Sequence, residues 1–153
     1  MSLFFAPDQW KVPVNYRLSL DQMIAAGKFE WVDRNYSATA FPIRGRGSKS
    51  LPMRIMCIDA KMSDITTKDV LDSIKSHAMR PARLEELLAL AAVDPAICLT
   101  RRVFAIGTMW RDSDDLVHVP KCNLSSIRRL HLHPIRREPW WSSLSDCFPC
   151  IPL

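Results

Sequence analysis

The sequence predicts an α+β protein in which two helices pack on small antiparallel sheets and the C-terminal third is rich in loops. Two stretches with apolar residues at helical spacing predict the helices, and short runs that alternate apolar with polar residues predict the strands. The chain has 153 residues, of which 48% are hydrophobic and 24% are charged. This composition is typical of folded globular proteins and argues against a disordered chain, and the length favours a single domain.

The N-terminal half contains a short helix, an aromatic loop and a strand. Ser19 and Gln22 have the spacing of a capping box, and Gly27 follows the apolar residues as a stop signal. Aromatic residues then occur among polar ones over residues 29–41, which predicts a loop packed on the core. Alternation over residues 51–60 predicts a strand.

The two main helices are predicted in the middle of the chain. Thr66 or Thr67 can cap the first helix, whose apolar stripe includes Val70 and Ile74. After an interruption at residues 80–81, the second helix covers residues 84–94.

A strand and an acidic turn are predicted next. Residues 103–110 have the clearest strand pattern of the chain, and Gly107 within it permits the close approach of another backbone. The acidic run at residues 112–115 predicts a hairpin turn rather than a calcium loop, because the ligand spacing and the closing glutamate of a calcium loop are missing. We divide the single domain, residues 1–153, into an N-terminal arm (1–18), a scaffold (19–110) and a ligand-binding region (111–153).

The last part of the chain concentrates positive charge. Between Lys121 and Leu153 there are five basic and two acidic side chains, so this segment carries +3 of the formal net charge of +5. Such a segment can attract phosphates or acidic surfaces, or it can simply be a solvated face.

A strand near residue 130 predicts which side chains of this segment are exposed. If Leu130 and Leu132 point to the core, then Arg129, His131 and His133 point outward, because successive side chains of a strand alternate between its faces. This pattern predicts a surface suited to ligand binding. The plainer alternative is a half-solvated strand whose polar side has no role.

The cysteines and the absence of an export or membrane segment predict a cytoplasmic protein. The five cysteines form no repeating framework, which indicates mostly free thiols in a reducing compartment. The apolar start of the chain is too short and lacks the basic region of a signal peptide. No apolar run approaches the roughly 20 residues of a membrane span.

Four blocks of the sequence resemble small proteins of ultra-small candidate-phylum bacteria. The blocks are residues 23–32 (MIAAGKFEWV), 41–43 (FPI), 80–90 (RPARLEELLAL) and 104–111 (FAIGTMWR). Val119, Pro120 and an arginine-rich tail with tryptophans follow them. Their order is similar to the C-type-lectin fold in its formylglycine-generating-enzyme-like branch, which includes the variable proteins of diversity-generating retroelements.

This resemblance implies a lectin-like scaffold that displays a variable C-terminal surface and binds a protein or another macromolecule without catalysis. In the variable proteins, adenine-directed mutation randomises exposed C-terminal residues. Because such mutation of an asparagine codon cannot give tryptophan or glutamate, Trp140, Trp141 and Glu138 would be framework or fixed contacts. The ligand-binding residues implied by the resemblance are Ser125, Ser126, Ile127, Arg128, Arg129, His131, His133, Arg136, Arg137, Trp140, Trp141, Ser142 and Ser143.

Two features depart from the pattern of these proteins. Arg83 replaces the threonine that would cap the second main helix. The chain ends in residues 147–153 (CFPCIPL), and prolines remove hydrogen-bond donors from a strand. The two prolines therefore predict that the closing strand is shortened or confined to a sheet edge.

Other functions remain open on the sequence alone. A nucleic-acid-binding protein would place arginines on phosphates and stack bases on tryptophans. The residues available for this are Arg128, Arg129, Arg136, Arg137, Trp140 and Trp141. A small zinc-binding domain would combine a Cys-x-x-Cys pair with nearby histidines. Its candidate ligands are His118, Cys122, His131, His133, Cys147 and Cys150. No spacing of a nucleophile and a base indicates an enzyme, and no cofactor is expected.

Overall fold

The computed structural model describes residues 3–58, 65–124, 127–135, 141 and 146–153. Within these residues the chain forms nine strands and four helices. In chain order they are β1 (Leu3–Asn15), α1 (Leu20–Ala26), β2 (Trp31–Val32), β3 (Ser48–Ile58), α2 (Thr67–Ser76), β4 (Met79–Pro81), α3 (Leu84–Val93), α4 (Ile97–Thr100), β5 (Arg102–Phe104), β6 (Trp110–Arg111), β7 (Val117–Leu124), β8 (Arg128–Ile135) and β9 (Asp146–Pro152).

All nine strands belong to one mixed sheet. Its main order is β1-β3-β9-β5-β7-β8-β2, while β4 pairs with β9 and β6 pairs with β7. Most neighbours are antiparallel, but β2 runs parallel to β8 and β5 runs parallel to β9. The predicted C-type-lectin-like arrangement of two helices on small antiparallel sheets is therefore wrong, because β9 joins the strands of both halves of the chain into a single sheet.

The prediction that the proline-containing end would be short or lie at an edge is also wrong. β9 has seven residues and lies inside the sheet, with β3 on one side and β5 and β4 on the other. Pro149 is opposite Ile55 of β3, and its carbonyl accepts a hydrogen bond from the Ala82 N–H at 2.8 Å. The N and the C=O of a strand residue face the same side, so the missing N–H of Pro149 falls where the neighbour of β9 changes from β5 to β4. The Ala82 carbonyl on that side accepts the Gly107 N–H at 3.0 Å instead.

Several local predictions are confirmed. Ser19 caps α1 in a capping box with Gln22, and Thr66 caps α2 in the same way with Asp69. α3 begins at Leu84 without a capping side chain from Arg83, and instead Thr108 Oγ1 accepts the Leu84 N–H at 2.8 Å. The contact from Thr108 thus replaces the local cap.

The strand predicted over residues 103–110 is broken into two. Only β5 and the two-residue β6 are strands, and the chain turns between them. Gly107 lies in this turn, where a Cβ atom would come within 2.6 Å of the Ala82 carbonyl oxygen. Close backbone approach at Gly107 is confirmed, but it serves a turn and not a continuous strand.

Helices cover both faces of the sheet. On one face, Leu87 and Leu90 of α3 pack with Val103 and with Cys122 of β7. On the other face, Val70 and Ile74 of α2 pack with Phe104 of β5 and Phe148 of β9. Trp141, which lies outside the named strands, belongs to the same cluster. α1 and α3 also cover the inner side of β8, through Met23, Leu88, Leu130 and Leu132. Among the described residues, no helix is long and apolar enough to cross a membrane.

A buried ionic network fixes α3 to the sheet. Glu86 is fully buried and accepts hydrogen bonds from Tyr16 Oη at 2.5 Å, from Arg80 Nη1 and Nη2 at 2.8 and 2.7 Å, and from the Arg83 N–H at 2.8 Å. Burial alone would raise the pKa of Glu86, but these hydrogen bonds outweigh it and hold the pKa below its ordinary value. Burial, together with the bond to Glu86, raises the pKa of Tyr16 to about 12.

The cysteines divide into a disulfide and three free thiols. Cys98 of α4 and Cys122 of β7 are joined as a disulfide, whereas Cys57, Cys147 and Cys150 are free and buried. Three of the five cysteines are thus free, which agrees with the expectation of mostly free thiols, and the Cys98–Cys122 disulfide was not foreseen. Disulfides are typical of oxidising compartments, so the cytoplasmic location stays a prediction.

We expect the change Glu86→Gln to lower the free energy of unfolding by about 3 kcal/mol or more, because it leaves the half-buried Arg80 guanidinium without its counter-charge. Urea denaturation at neutral pH measures this. Since the pKa of Glu86 is lowered on folding, its contribution is present above its ordinary pKa and is lost as the pH falls through the folded-state value.

The control for this prediction is Asp72→Asn, which breaks the exposed ion pair between Lys68 and Asp72 on α2. That pair is solvated, so the denaturation midpoint should hardly change. Equal effects of Glu86→Gln and Asp72→Asn would contradict a structural role for the buried network.

Candidate functional site

The hairpin of β7 and β8 presents a polar face, which we call the β7–β8 face: Lys121, Asn123, Arg129, His131 and His133. In the antiparallel register Lys121 is opposite His131 and Asn123 is opposite Arg129, so each pair shares one side of the sheet. His133 is opposite Val119 on the same side. All five polar side chains are partly exposed.

The opposite side of the same strands is buried. Cys122 is opposite Leu130, and Pro120 is opposite Leu132. Leu130 is inaccessible to solvent and Leu132 is 9% exposed. The predicted alternation, with the leucines inward and Arg129, His131 and His133 on the other face, is confirmed.

Arg128 does not share the face of Arg129. Its guanidinium lies 5.3 Å from the ring centre of Phe29, and Nη2 donates to the Ala91 carbonyl at 3.3 Å. Adjacent strand residues point to opposite sides, so the two arginines cannot act as a pair on one ligand. Arg128 instead anchors β8 to the C-terminal end of α3.

The positive charges of the β7–β8 face repel one another. Burial lowers the pKa of Lys121, and the nearby charge of Arg102 lowers it further. Burial also lowers the pKa of His131, with additional lowering from Lys121 and Arg129. Two carboxylates oppose this repulsion: Asp146 acts on Lys121, and Asp33 acts on His131. Asp146 already forms an ion pair with Arg102. The face is therefore electropositive, and an anion bound there would relieve the repulsion.

Two polar atoms of the face lack a partner within the described part of the chain. Asn123 Oδ1 and Arg129 Nε are buried and make no hydrogen bond to a described residue. Three other arginines with a buried, unpaired Nε use their terminal nitrogens: Arg83 on Glu86, Arg102 on Asp146 and Arg128 on the Ala91 carbonyl. Arg54 makes no such bond to a described residue either, but its guanidinium lies 4.3 Å from the centre of the Phe5 ring. No hydrogen bond or ion pair joins the Arg129 guanidinium to the described residues. Unsatisfied buried groups are costly, which makes Arg129 a candidate ligand contact.

An exposed tryptophan borders the face. Trp31 of β2 is 42% exposed and pairs with Arg129 through the parallel β2–β8 contact. Its ring centre lies 4.9 Å from that of His131, with the planes tilted by 41°. The two rings thus extend an aromatic surface from His131 to the edge of the sheet.

His133 is more enclosed than the rest of the face. Its ring centre lies 5.1 Å from that of Phe104 and 5.8 Å from that of Trp141. Burial lowers the pKa of His133 to about 4, and the charges of Lys121 and Arg102 add to the effect. His133 is therefore neutral at neutral pH and forms the apolar end of the face.

Of the other predicted ligand-binding residues, the structure describes only Ile127 and Trp141. Ile127 is half-buried just before β8. Trp141 is 1% exposed, packs on Phe104 and Phe148, and donates Nε1–H to Thr67 Oγ1 at 3.0 Å, so it belongs to the core framework. The remaining predicted residues lie outside the described ranges: Ser125, Ser126, Arg136, Arg137, Trp140, Ser142 and Ser143.

The candidate zinc ligands are not brought together. Cys122 is in the disulfide, and Cys147 and Cys150 lie on opposite faces of β9 because they are three residues apart in a strand. His118 instead contacts Asp112, with Nε2 and Oδ2 2.8 Å apart. Within the described residues, no three histidine, cysteine or acidic side chains are placed to hold a metal ion.

The sequence interpretation missed Trp31, Lys121 and Asn123. Lys121 and Asn123 flank the buried Cys122, and that alternation could have been read from the sequence as a half-exposed strand. Trp31 carries no comparable pattern, because its place beside His131 depends on the pairing of β2 with β8, about a hundred residues away in the chain.

Comparison with protein-family models, with curated proteins and with solved structures finds no match to this chain.

We expect His133 to make folding stability depend on pH between 6.5 and about 4. Its pKa is depressed in the folded state, so in this window the unfolded chain binds a proton that the folded chain does not, and stability falls as the pH falls. The effect should be about 2 kcal/mol after allowance for solvent screening. Urea denaturation of the wild type and of His133→Phe across this range measures it.

The variant should show a shallower dependence, because phenylalanine keeps the contacts with Phe104 and Trp141 and cannot be protonated. An NMR titration of His133 supplies an independent reading. A midpoint near 6.5 in the native protein would contradict the burial of this ring.

Proposed function

We propose that this protein binds single-stranded nucleic acid through the β7–β8 face and Trp31, as a recognition protein without catalytic activity. The observation that carries the proposal is the Arg129 guanidinium, which has no hydrogen bond or ion pair to the described residues and lies in an electropositive row with Lys121 and His131. Phosphate is the ligand that best suits such a row, because it accepts several hydrogen bonds and supplies compensating negative charge.

The spacing of the face supports an extended ligand. Lys121 and His131 form one cross-strand pair, and Asn123 and Arg129 form the next along the same side. Pairs of this kind repeat at roughly 7 Å along a strand, which is near the distance between successive phosphates of an extended single strand. A ligand that runs along the hairpin would meet a cation at each pair.

The aromatic groups support a base next to the phosphates. The exposed Trp31 ring lies against His131, and base stacking on such a ring tolerates any sequence. Asn123 offers an unpaired Oδ1 that can accept a hydrogen bond from a base amino group. These groups favour a single strand over a duplex, whose bases are not available for stacking on a side chain.

The double change Lys121→Gln and Arg129→Gln should weaken binding to a fluorescein-labelled single-stranded oligodeoxythymidine by at least about tenfold. Fluorescence anisotropy at several salt concentrations measures this. Loss of two phosphate contacts should also reduce the slope of log affinity against log salt by about 1.4.

The matched control is the double change Lys11→Gln and Lys49→Gln. It removes the same charge from exposed positions on β1 and β3, at the other end of the sheet. The control should keep most of the affinity. An equal loss in both double variants would show attraction to overall charge only, and failure of the wild-type protein to bind the oligonucleotide would exclude the proposed function.

A separate prediction concerns Trp31. The change Trp31→Ala should weaken binding of the same oligonucleotide by about tenfold through lost stacking, whereas Trp31→Phe should keep most of the affinity. Thermal melting should be nearly unchanged in both variants, because the side chain is 42% exposed. If Trp31→Ala binds like the wild type, stacking at this position is ruled out.

A further inference from the structure

Two free cysteines face each other where the two halves of the sheet meet. Cys57 of β3 is directly opposite Cys147 of β9 in the antiparallel register, and their Sγ atoms are 3.4 Å apart. Directly opposite residues of antiparallel strands have Cα atoms roughly 4.5 to 5.5 Å apart, which is within the range that a disulfide requires. The backbone therefore already has the geometry for a bond between them.

The third free cysteine lacks this arrangement. Cys150 lies on the other face of β9, among the side chains packed under α2, and its S–H donates to the Phe148 carbonyl. Cys57 and Cys147 belong instead to the core layer that contains the Cys98–Cys122 disulfide. Cys150 has the same burial and the same chemistry as Cys147 but no described sulfur partner, which makes it a matched control.

Cys57 is the more reactive thiol of the pair. It is 5% exposed, whereas Cys147 is fully buried. The hydrogen bond with Cys147, the charge of Arg101 and the Ala6 N–H lower the pKa of Cys57, and the same contact together with burial raises the pKa of Cys147. This division suits an attacking sulfur and a resolving sulfur.

A surface cavity lies beside charged groups that act on Cys57, although Cys57 itself does not line it. It has a volume of about 280 Å³ and is lined by Asp8 and Arg101, the two charged groups that act on the Cys57 thiol. β1 has an irregularity between Phe5 and Gln9, so its pairing with β3 is interrupted beside this cavity. Because Cys57 is only 5% exposed, its oxidant has to be small and uncharged, and this is the side from which we expect it to approach.

We propose that Cys57 and Cys147 form a peroxide-oxidisable dithiol that closes into a second disulfide of the protein. The oxidant is hydrogen peroxide or a small hydroperoxide. The site is independent of the β7–β8 face and does not rest on the proposed function.

The reaction balances in two steps. The Cys57 thiolate attacks one oxygen of the peroxide, the O–O bond breaks, and the departing hydroxide takes up the proton that the Cys57 thiol released, giving sulfenic acid and water. Cys147 then attacks the Cys57 sulfur, the S–O bond breaks, and the hydroxyl leaves with the Cys147 proton as a second water. Two thiols are oxidised to one disulfide while one peroxide is reduced to two waters.

The bond would secure the C-terminal strand. Cys57 and Cys147 are 90 residues apart in the chain, and β9 is the strand that joins β1 and β3 to the rest of the sheet. A cross-link over so long a loop restricts the unfolded chain strongly. Oxidation should therefore raise the melting temperature by about 10 °C.

Alkylation of the full-length protein tests the proposal. The protein, with the Cys98–Cys122 disulfide intact, is treated with hydrogen peroxide at neutral pH. It is then denatured in the presence of iodoacetamide, which alkylates free thiols, and its mass is measured by mass spectrometry. Untreated protein should take up three alkyl groups, one for each free cysteine, and treated protein should take up one, at Cys150. Three alkyl groups after treatment, or loss of the Cys150 thiol instead, would overturn the proposal.

Variants identify the two sulfurs. Trypsin leaves Cys147 and Cys150 on one peptide, so the Cys57–Cys147 bond is assigned in the Cys150→Ser variant, which should oxidise like the wild type. Cys147→Ser should stop at a sulfenic acid on Cys57 that dimedone traps, and peroxide should not raise its melting temperature. Absence of dimedone label on a folded Cys147→Ser protein would exclude Cys57 as the attacking sulfur. The alkyl count of the wild type does not depend on any variant folding.

Discussion

The insertion of β9 between β3 and β5 is the constraint on which the rest of the structure depends. The C-terminal strand is last in the chain and lies inside the sheet, where it bonds to β3 along one side and to β5 and β4 along the other. The β1–β3 pair and the β5–β7–β8 group meet only through it in the main strand order. These pairings join segments that are distant in the sequence, so forming them costs chain entropy. That cost is offset only when the strands on both sides of β9 are in place.

The same strand influences the charge of the β7–β8 face. Asp146, the first residue of β9, is 2% exposed and forms an ion pair with Arg102, and its charge opposes the lowering of the Lys121 pKa. Without this carboxylate, the positive charges of Arg102 and Lys121 would lie close together with less negative charge to balance them. The position of β9 therefore sets how much positive charge the face presents.

Local features of this fold could be predicted from the sequence, and long-range ones could not. The caps at Ser19 and Thr66 and the alternation of Leu130 with His131 involve near neighbours, whose preferences the chain itself encodes. The sheet order depends on pairings between distant segments. A proline normally marks an edge, but Pro149 lies inside the sheet beyond the end of β4, where the Gly107 N–H bonds to the Ala82 carbonyl. In the candidate site, Arg129 and His131 were predicted correctly as outward-facing, while Trp31 depended on an unforeseen parallel contact.

The contrast between two arginines argues that the β7–β8 face serves binding. Arg80 is half-buried, and both of its terminal nitrogens are matched to the Glu86 carboxylate at 2.7 and 2.8 Å. Arg129 has a buried Nε without a hydrogen-bond partner among the described residues, and its charge, like that of Lys121, opposes the protonation of His131. An arrangement of this kind lowers stability, since a buried donor loses its hydration and like charges are held together. A glutamine or threonine at this half-exposed strand position would avoid both costs. The arginine at position 129 therefore supports the proposal that the β7–β8 face binds phosphate, which would supply hydrogen-bond partners for the guanidinium.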